Sequence, residues 1–353
     1  MKQFAQTTVL QPLMRIRRKR LLPKEGEVIV RVGQEVPPMN VLARTPIATK
    51  FIVLPLSNML NVDPDELPEK LQVNLGESVN QESVLAAKKR VIGSKEIVSP
   101  IDGEVVAVEN GRLILKQTTD WFELRAMVHG RVINYETNQG VSLEIVGALI
   151  QAVWATGDIT MGALHLTADQ PNGLMQAENI PDNLTNLVLA AGTINDSELL
   201  ANLADQNVRG LIAGSMPAHI CETAASLGLS VILTDGIGKQ YMAEPIYQLL
   251  HELVDEDVSL FTEYNPVIGE RPEIIVPRPG VPKIESSPYN KPLAVGDLVR
   301  IVKPPYQSQI GIIAKLLNNK QNMVGGIKVN GAIVRQTDGQ EMFVPTANID
   351  LFI

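Results

Sequence analysis

The chain has 353 residues, of which 45% are hydrophobic, and its formal net charge is -8 at pH 7. A chain of this length is too long to fold around a single hydrophobic core, so we predict two to four domains. The longest apolar runs are far shorter than a membrane span, and the single cysteine, Cys221, excludes an intramolecular disulfide. We therefore expect a cytoplasmic protein with no membrane contact.

Charge is distributed unevenly along the chain. Residues 1–24 carry seven basic and no acidic side chains, whereas residues 140–290 carry five basic and 19 acidic ones. Residues 291–353 carry seven basic and four acidic side chains. The acidic middle argues against nucleic-acid binding by the body and leaves it open for the two ends. The basic stretch 15–20 fits either phosphate contacts or an edge strand whose arginines block aggregation.

A short pattern occurs twice near the N-terminus. Residues 31–43 read RVGQEVPPMNVLA, and residues 74–86 read NLGESVNQESVLA. Each copy predicts a strand, a turn at Gly33 or Gly76, and a second strand. Neither copy can bury its apolar face alone, so we expect the two to pack as pseudo-symmetric halves of one β structure.

The second copy continues into a Ser-Pro-Ile-Asp-Gly-Glu-Val segment that starts at Ser99. In this pattern, residues 25–117 resemble the barrel-sandwich hybrid of biotinyl and lipoyl carrier domains, a unit that also occurs in scaffolds without a modified lysine. The resemblance implies a β barrel-sandwich hybrid. The interval before Ser99 is longer than in carriers and lacks their lysine signature. Lys88, Lys89 and Lys95 are therefore predicted to be exposed hairpin charges.

A different pattern starts near residue 183. Three apolar runs, at 184–191, 210–215 and 230–235, are each followed by a Gly-containing turn and a helix-forming run. This order predicts a small parallel α/β sheet of the Rossmann-like kind. Seven prolines between residues 266 and 292 then predict an extended connector.

The last segment contains a Gly-Asp-Leu-Val-Arg-Ile run from Gly296, a proline-containing turn that ends at Gly311, and a closing Val-Pro-Thr-Ala-Asn-Ile run. In these motifs, residues 294–353 resemble the KOW motif of NusG-like and ribosomal SH3-type barrels. The resemblance implies an SH3-like β-barrel that docks RNA or a protein partner. Gln307 and Ser308 stand where many members carry a glycine.

The predicted fold class is multidomain α+β: a β barrel-sandwich hybrid, then a small parallel α/β sheet, then an SH3-like β-barrel. The predicted units are residues 1–165 (hybrid with a basic N-terminal strand), 166–265 (three-unit parallel α/β domain), 266–292 (proline-rich connector) and 293–353 (KOW-like barrel).

In a parallel sheet, ligands bind beyond the carboxyl ends of the strands, where helix N-termini offer free N–H groups. The predicted ligand residues at these positions are Gly192, Thr193, Gly214, Ser215, Asp235, Gly236 and Gly238. No turn matches a nucleotide-binding fingerprint, so glycines that only permit short turns are the alternative.

Ser215, His219 and Asp235 are weak candidates for a catalytic set. A hydrolytic triad needs serine, imidazole and carboxylate in a hydrogen-bonded line, but Ser215 lacks the Gly-x-Ser-x-Gly elbow. The four histidines have no close ligand spacing, so we predict no metal and no cofactor.

In the KOW-like module, basic and aromatic side chains would contact RNA or a partner. They are Arg300, Lys303, Tyr306, Lys315 and Lys320. The first functional hypothesis is a non-enzymatic scaffold or adaptor that docks a transcription or translation assembly. The second is a small-molecule binding protein or enzyme that holds an anion or phosphate at the strand ends. The third is a homo-oligomeric structural protein.

Overall fold

A computed structural model describes residues 2–89, 93–265, 267, 269–282, 291–323 and 326–353. The strands up to residue 156 are β1 (Gln6–Thr8), β2 (Leu10–Leu21), β3 (Glu27–Val28), β4 (Glu35–Val36), β5 (Val41–Leu54), β6 (Ser78–Val79), β7 (Val84–Lys89), β8 (Ser94–Val98), β9 (Gly103–Glu109), β10 (Arg112–Arg125), β11 (Gly130–Glu136), β12 (Gly140–Gln151) and β13 (Trp154–Thr156). The later strands are β14 (Thr160–Leu166), β15 (Leu187–Thr193), β16 (Gly210–Met216), β17 (Val231–Ile237), β18 (Asp257–Phe261), β19 (Glu273–Pro277), β20 (Leu298–Ile301), β21 (Ile310–Leu316), β22 (Gln321–Asn322), β23 (Lys328–Val329), β24 (Gly331–Gln336), β25 (Glu341–Pro345) and β26 (Ile349–Phe352). The α-helices are α1 (Leu56–Leu60), α2 (Ser197–Asp205), α3 (Ala218–Ser226) and α4 (Glu244–Glu252), and 3-10 turns cover Pro64–Lys70, Ala177–Asn179 and Thr346–Asn348.

The chain is mostly β, with 47% strand and 14% helix. An 11-stranded central sheet has the order β13-β17-β16-β15-β14-β18-β19-β12-β11-β4, and β2 also pairs with β12. Strands β14 to β17 are parallel to one another, whereas β13 and β18 flank them antiparallel. The predicted fold class is therefore wrong, because the parallel strands form part of a mixed sheet and not a separate Rossmann-like domain.

The pairing of strand β12 explains why the parallel strands do not form a separate domain. One edge of β12 pairs with β2, and the other edge pairs first with β11 and then with β19. Strand β19 also pairs with β18, which in turn pairs with β14. A single strand thus connects the N-terminal strands to the parallel strands through backbone hydrogen bonds.

Both faces of the parallel strands are covered. Val188 and Ala190 of β15 belong to a core that contains the apolar face of α4. Leu189 and Ala191 point to the opposite side, into a core with α2 and α3. Because successive side chains of a strand alternate between faces, burial on both faces accounts for the unbroken apolar runs.

The two copies of the sequence repeat form the same turn. Gly33 and Gly76 have φ of 88° and 82°, in the left-handed region that favours glycine. The Gly33 N–H donates to the carbonyl of Val132 at 2.7 Å, and the Gly76 N–H donates to that of Val105 at 2.7 Å. The copies lie in different sheets, since β4 pairs with β11 in the central sheet and β6 pairs with β9 in an N-terminal sheet of order β3-β5-β10-β9-β6.

A six-stranded C-terminal sheet has the order β1-β26-β20-β21-β24-β25. The N-terminal strand β1 runs parallel to β26, with Thr8 opposite Phe352. Leu298, Ile310 and Phe352 pack against the core that contains α4. The two ends of the chain therefore meet in one sheet, and this sheet is packed on the central sheet.

Part of the predicted connector, residues 266, 268 and 283–290, lies outside the described residues. Strand β19, within the same connector, is buried between β12 and β18. The domain boundaries and the two family resemblances stay predictions.

Candidate functional site

The structure brings several predicted ligand residues to one edge of the central sheet. Gly192, Gly214 and Gly236 lie toward the carboxyl ends of the neighbouring strands β15, β16 and β17. Ser215 is in register with Thr193 on one side and with Gly236 on the other. This is the edge at which parallel sheets commonly bind ligands.

Loops of the chain itself fill most of this edge. A Cβ atom on Gly192 would lie 2.3 Å from the carbonyl oxygen of Pro171, and one on Gly214 would lie 2.4 Å from the backbone nitrogen of Met242. The two loops are joined to each other, because the Met242 N–H donates to the Pro171 carbonyl at 3.0 Å. Gly192 and Gly214 therefore permit close packing of backbone on backbone and do not face a ligand space.

The weak catalytic candidates have other partners. The buried Ser215 hydroxyl donates to the carbonyl of Gln240 at 2.5 Å. Asp235 accepts from the Thr234 hydroxyl at 2.7 Å and from the Ala243 N–H at 3.1 Å. His219 is exposed on α3, and no hydrogen bond between described residues joins its ring to Ser215 or Asp235.

Asp235 is part of a buried charge cluster that links the central and C-terminal sheets. The Arg300 guanidinium lies 2.6 Å from Asp235 and 2.5 Å from Asp350, and all three side chains are almost fully buried. Arg300 also donates to the Thr234 carbonyl at 3.1 Å. Burial by itself lowers the pKa of Arg300, but the charges of Asp235 and Asp350 outweigh it and raise that pKa.

The cluster continues to the N-terminal strand. The Thr8 hydroxyl donates to Asp350 at 2.8 Å and accepts from Arg271 at 3.1 Å. Arg271 also donates to the backbone carbonyl of Thr7 at 2.8 Å. Strands β1, β17, β20 and β26 are thereby connected through charged hydrogen bonds, which are stronger than neutral ones.

A cavity of about 360 Å³ opens beside this cluster. Its charged lining consists of Asp235, Asp350, Arg300 and Lys303, and Gly236 contributes backbone. Residues from both predicted sets, the strand-end set and the KOW-like set, therefore share one pocket. We call it the interface pocket. Its other lining residues are Gln6, Val153, Ile237, Gln240, Ile301, Val302, Gln307, Ser308 and Ala347.

The predicted partner residues divide into two groups. Arg300 is only 3% exposed and is committed to the charge cluster. Lys303, Tyr306, Lys315 and Lys320 are exposed. The ion pairs recorded for the described residues include none of these three lysines. Lys303 is the one of them that reaches the interface pocket.

Sequence reasoning missed Thr8, Arg271 and Asp350. Thr8 lies in a segment without any motif signal, and Arg271 lies in the predicted proline-rich connector, for which no site residue was predicted. Asp350 gave a signal that could have been used, because both faces of its strand are apolar: Ile349 and Leu351 share one face, and Phe352 shares the other face with Asp350. A charge at a core position of a strand needs a partner of opposite sign.

Two of the three hairpin lysines near the second repeat donate hydrogen bonds to backbone carbonyls. Lys88 donates to the Asn61 carbonyl at 2.7 Å, and Lys95 donates to the Met59 carbonyl at 2.5 Å. Both carbonyls lie at the end of α1, where unpaired backbone oxygens attract cations. Lys89 is exposed.

Across the described ranges, no group of three or more His, Cys, Asp or Glu residues has an arrangement that could hold a metal ion. No helix in the same ranges is both long enough and apolar enough to cross a membrane. Comparison of the chain with protein-family models gave no match, and comparison with curated proteins gave no significant match.

Proposed function

We propose that this protein is a non-enzymatic scaffold or adaptor whose C-terminal sheet docks an RNA–protein assembly of transcription or translation. The KOW-like resemblance of residues 294–353 suggests this partner class. The observation that carries the proposal is the contrast between Arg300, which anchors the C-terminal sheet, and the exposed group of Lys303, Tyr306, Lys315 and Lys320. An anchored sheet with free surface cations can present those cations in a fixed arrangement.

The rigid attachment of the C-terminal sheet lowers the entropic cost of binding a partner. A surface held rigidly by its own protein loses little conformational freedom when it binds, so more of the contact energy appears as affinity. Lysines without an internal ion pair are free to meet phosphate groups, and tyrosine offers a ring on which a base can stack. The small positive charge of residues 291–353 favours a modest, salt-sensitive affinity.

The test must keep the chain intact. Deleting residues 291–353 would leave β1 without its partner strand and would leave Asp235 buried without Arg300. Loss of binding by such a deletion would therefore also follow from misfolding.

We would tag the full chain in its native cells and compare three forms by mass spectrometry of the bound macromolecules. The test variant is Lys303→Gln/Lys315→Gln/Lys320→Gln. The matched control, Lys24→Gln/Lys50→Gln/Lys89→Gln, removes the same charge from exposed lysines elsewhere. The proposal expects ribosomal or polymerase components with the wild type and the control, and their loss with the test variant. Equal recovery with the test variant, or no such components with the wild type, would refute it.

A second candidate function is the binding of a small anion or phosphate in the interface pocket. It is supported by Lys303 on the pocket lining beside the backbone of Gly236. Because Asp235, Asp350, Arg300 and Lys303 together are neutral, the pocket attracts an anion only weakly, and this candidate ranks second. Titration with inorganic phosphate distinguishes the two: Lys303→Gln alone would abolish phosphate binding, whereas Lys315→Gln/Lys320→Gln would not change it.

We also propose a cytoplasmic location, because a single cysteine fits a reducing compartment. Self-association stays a third hypothesis. Light scattering at high protein concentration tests it, and a monomer would refute it.

A further inference from the structure

Two loops from different sheets line the interface pocket. The β17 loop, residues 238–243, follows a strand of the central sheet and contributes Gln240 to the lining. The β20 loop, residues 302–309, follows a strand of the C-terminal sheet and contributes Lys303 and Gln307. A ligand in this pocket would therefore touch both sheets.

Hydrogen bonds within the protein hold both loops. Arg300 lies just before the β20 loop, and its guanidinium donates to Asp235 of β17 at 2.6 Å. The hydrogen bond from Ser215 described above holds the middle of the β17 loop. Within the β20 loop, the Ser308 N–H donates to the Ile301 carbonyl at 2.7 Å. Because the loops are held in this way, less conformational freedom is lost when a ligand binds to them.

Each loop exposes one lysine and one tyrosine. These residues are Lys239 and Tyr241 in the β17 loop, and Lys303 and Tyr306 in the β20 loop. Neither lysine forms an ion pair with another described residue. The β17 loop lies outside the KOW-like residues, so its lysine and tyrosine were not among the predicted partner residues.

The charges at the pocket are arranged in two levels. The buried cluster of Arg300 with its two aspartates carries one negative charge, and the exposed Lys303 and Lys239 above it carry two positive charges. Glu244 follows the β17 loop but does not line the pocket, and its carboxylate accepts from Gln248 at 3.0 Å. The rim therefore favours negative groups of a ligand, and the interior does not.

The interior favours a group that donates hydrogen bonds. The side-chain oxygen of Gln240 is buried and has no donor among the described residues, which is an unfavourable state for an acceptor. The volume of about 360 Å³ is near the lower end of the range of about 300–1,000 Å³ for ligand pockets. A nucleobase with an amino group is a small donor of this kind, and its phosphate would remain outside at the rim.

We propose that the two loops bind single-stranded RNA, with one unstacked base in the interface pocket. Neighbouring bases stack on Tyr241 and Tyr306, and phosphates contact Lys239 and Lys303. Aromatic stacking combined with cationic contacts to the backbone is the usual way in which proteins bind single strands. This inference rests on the proposed function, since it names RNA as the component that is contacted and adds the β17 loop to the docking surface.

The test measures binding of the purified full chain to a fluorescein-labelled RNA by fluorescence anisotropy. The RNA is a single strand of roughly 12 nucleotides, within the range of known single-strand sites, and the comparison is the same strand in a perfect duplex. We expect the single strand to bind at least about 10-fold more tightly, because the bases of a duplex are stacked and cannot reach the pocket or the tyrosines.

Variants of the β17 loop separate stacking from charge. Tyr241→Leu should weaken binding by about 10-fold, whereas Tyr241→Phe keeps the ring and should bind as the wild type. Lys239→Gln should reduce the slope of log K against log salt by about 0.7, the value for one phosphate contact of a single strand, and Tyr241→Leu should leave that slope unchanged. The controls Tyr264→Leu and Lys24→Gln, exposed elsewhere, should behave as the wild type. Circular dichroism checks that each variant is folded.

The proposal is overturned if the wild type does not bind the single strand, if the duplex binds equally well, or if the β17-loop variants keep the wild-type affinity and salt slope. Its failure is distinguishable from failure of the proposed function. If only Lys303→Gln/Tyr306→Leu loses RNA binding, the assignment of the β17 loop is wrong and the proposed function stands. The same holds if the wild type binds no RNA but the tagged chain still recovers ribosomal or polymerase proteins.

Discussion

Replacement of Arg300 by methionine tests the buried charge cluster that joins the two sheets. Methionine has a similar length and no charge, so Asp235 and Asp350 would stay buried without their shared cation. The variant would also lose the hydrogen bond to the Thr234 carbonyl at 3.1 Å and the contact of the guanidinium with the Phe352 ring, 5.4 Å from its centroid. The expected result is a large loss of stability.

The size of the stability loss depends on the two carboxylates, Asp235 and Asp350, that lose their shared cation. A stranded carboxylate can escape its cost by taking up a proton, which at pH 7 costs at most about 4 kcal/mol for a group of ordinary aspartate acidity. Two such groups set an upper limit of about 8 kcal/mol. Hydrogen bonds from Thr8, Thr234 and Ala243 still stabilise the carboxylates, so we expect a loss of about 3–5 kcal/mol, as for other broken buried ion pairs.

Urea unfolding followed by circular dichroism and tryptophan fluorescence measures this loss. The control is Arg300→Met/Asp235→Asn/Asp350→Asn, which removes all three charges and should recover about 2 kcal/mol or more of the lost stability. If Arg300→Met unfolds at the wild-type urea concentration, or if the control is less stable than Arg300→Met, the cluster does not hold the sheets together as we argue.

Three further predictions concern packing and burial. Gly192→Val should destabilise the protein by about 1–3 kcal/mol in urea unfolding, because the valine side chain would collide with the Pro171 carbonyl. The control Gly228→Ala has open space around it and should cost only the strain of its left-handed backbone, about 1 kcal/mol. Burial raises the pKa of the Cys221 thiol, so a thiol reagent should modify it slowly at pH 8 and rapidly in urea, and equal rates would contradict its burial. Deletion of residues 1–9 should speed hydrogen exchange in β26 but not in β10, and unchanged exchange in β26 would contradict its pairing with β1.

Local features of the fold could be predicted from the sequence. The glycines of the repeat form equivalent turns because each needs a positive φ, and the alternating or unbroken apolar runs lie in strands. The runs near residues 187, 210 and 231 are strands followed by helices, and they pair in parallel. These signals depend on neighbours within a few positions, which the sequence displays directly.

The wrong fold class came from pairings between distant segments. Nothing within the sequence of β12 indicates that it pairs with β2, β11 and β19, and this pairing merges the parallel strands into a mixed sheet. Backbone hydrogen bonds are nearly independent of side-chain identity. Local patterns therefore show that a strand exists but not which strand lies beside it.

The candidate site likewise combines features that the sequence shows with contacts that only the structure shows. The sequence by itself determined that Asp235 lies toward the carboxyl end of a strand in a parallel set and that Arg300 belongs to a basic C-terminal segment. Only the tertiary structure decided that the two side chains meet at 2.6 Å, together with Asp350 and Thr8, which turns a predicted partner contact into a buried anchor. The physical reason is that a charge cluster depends on distances between residues that folding brings together from opposite ends of the chain.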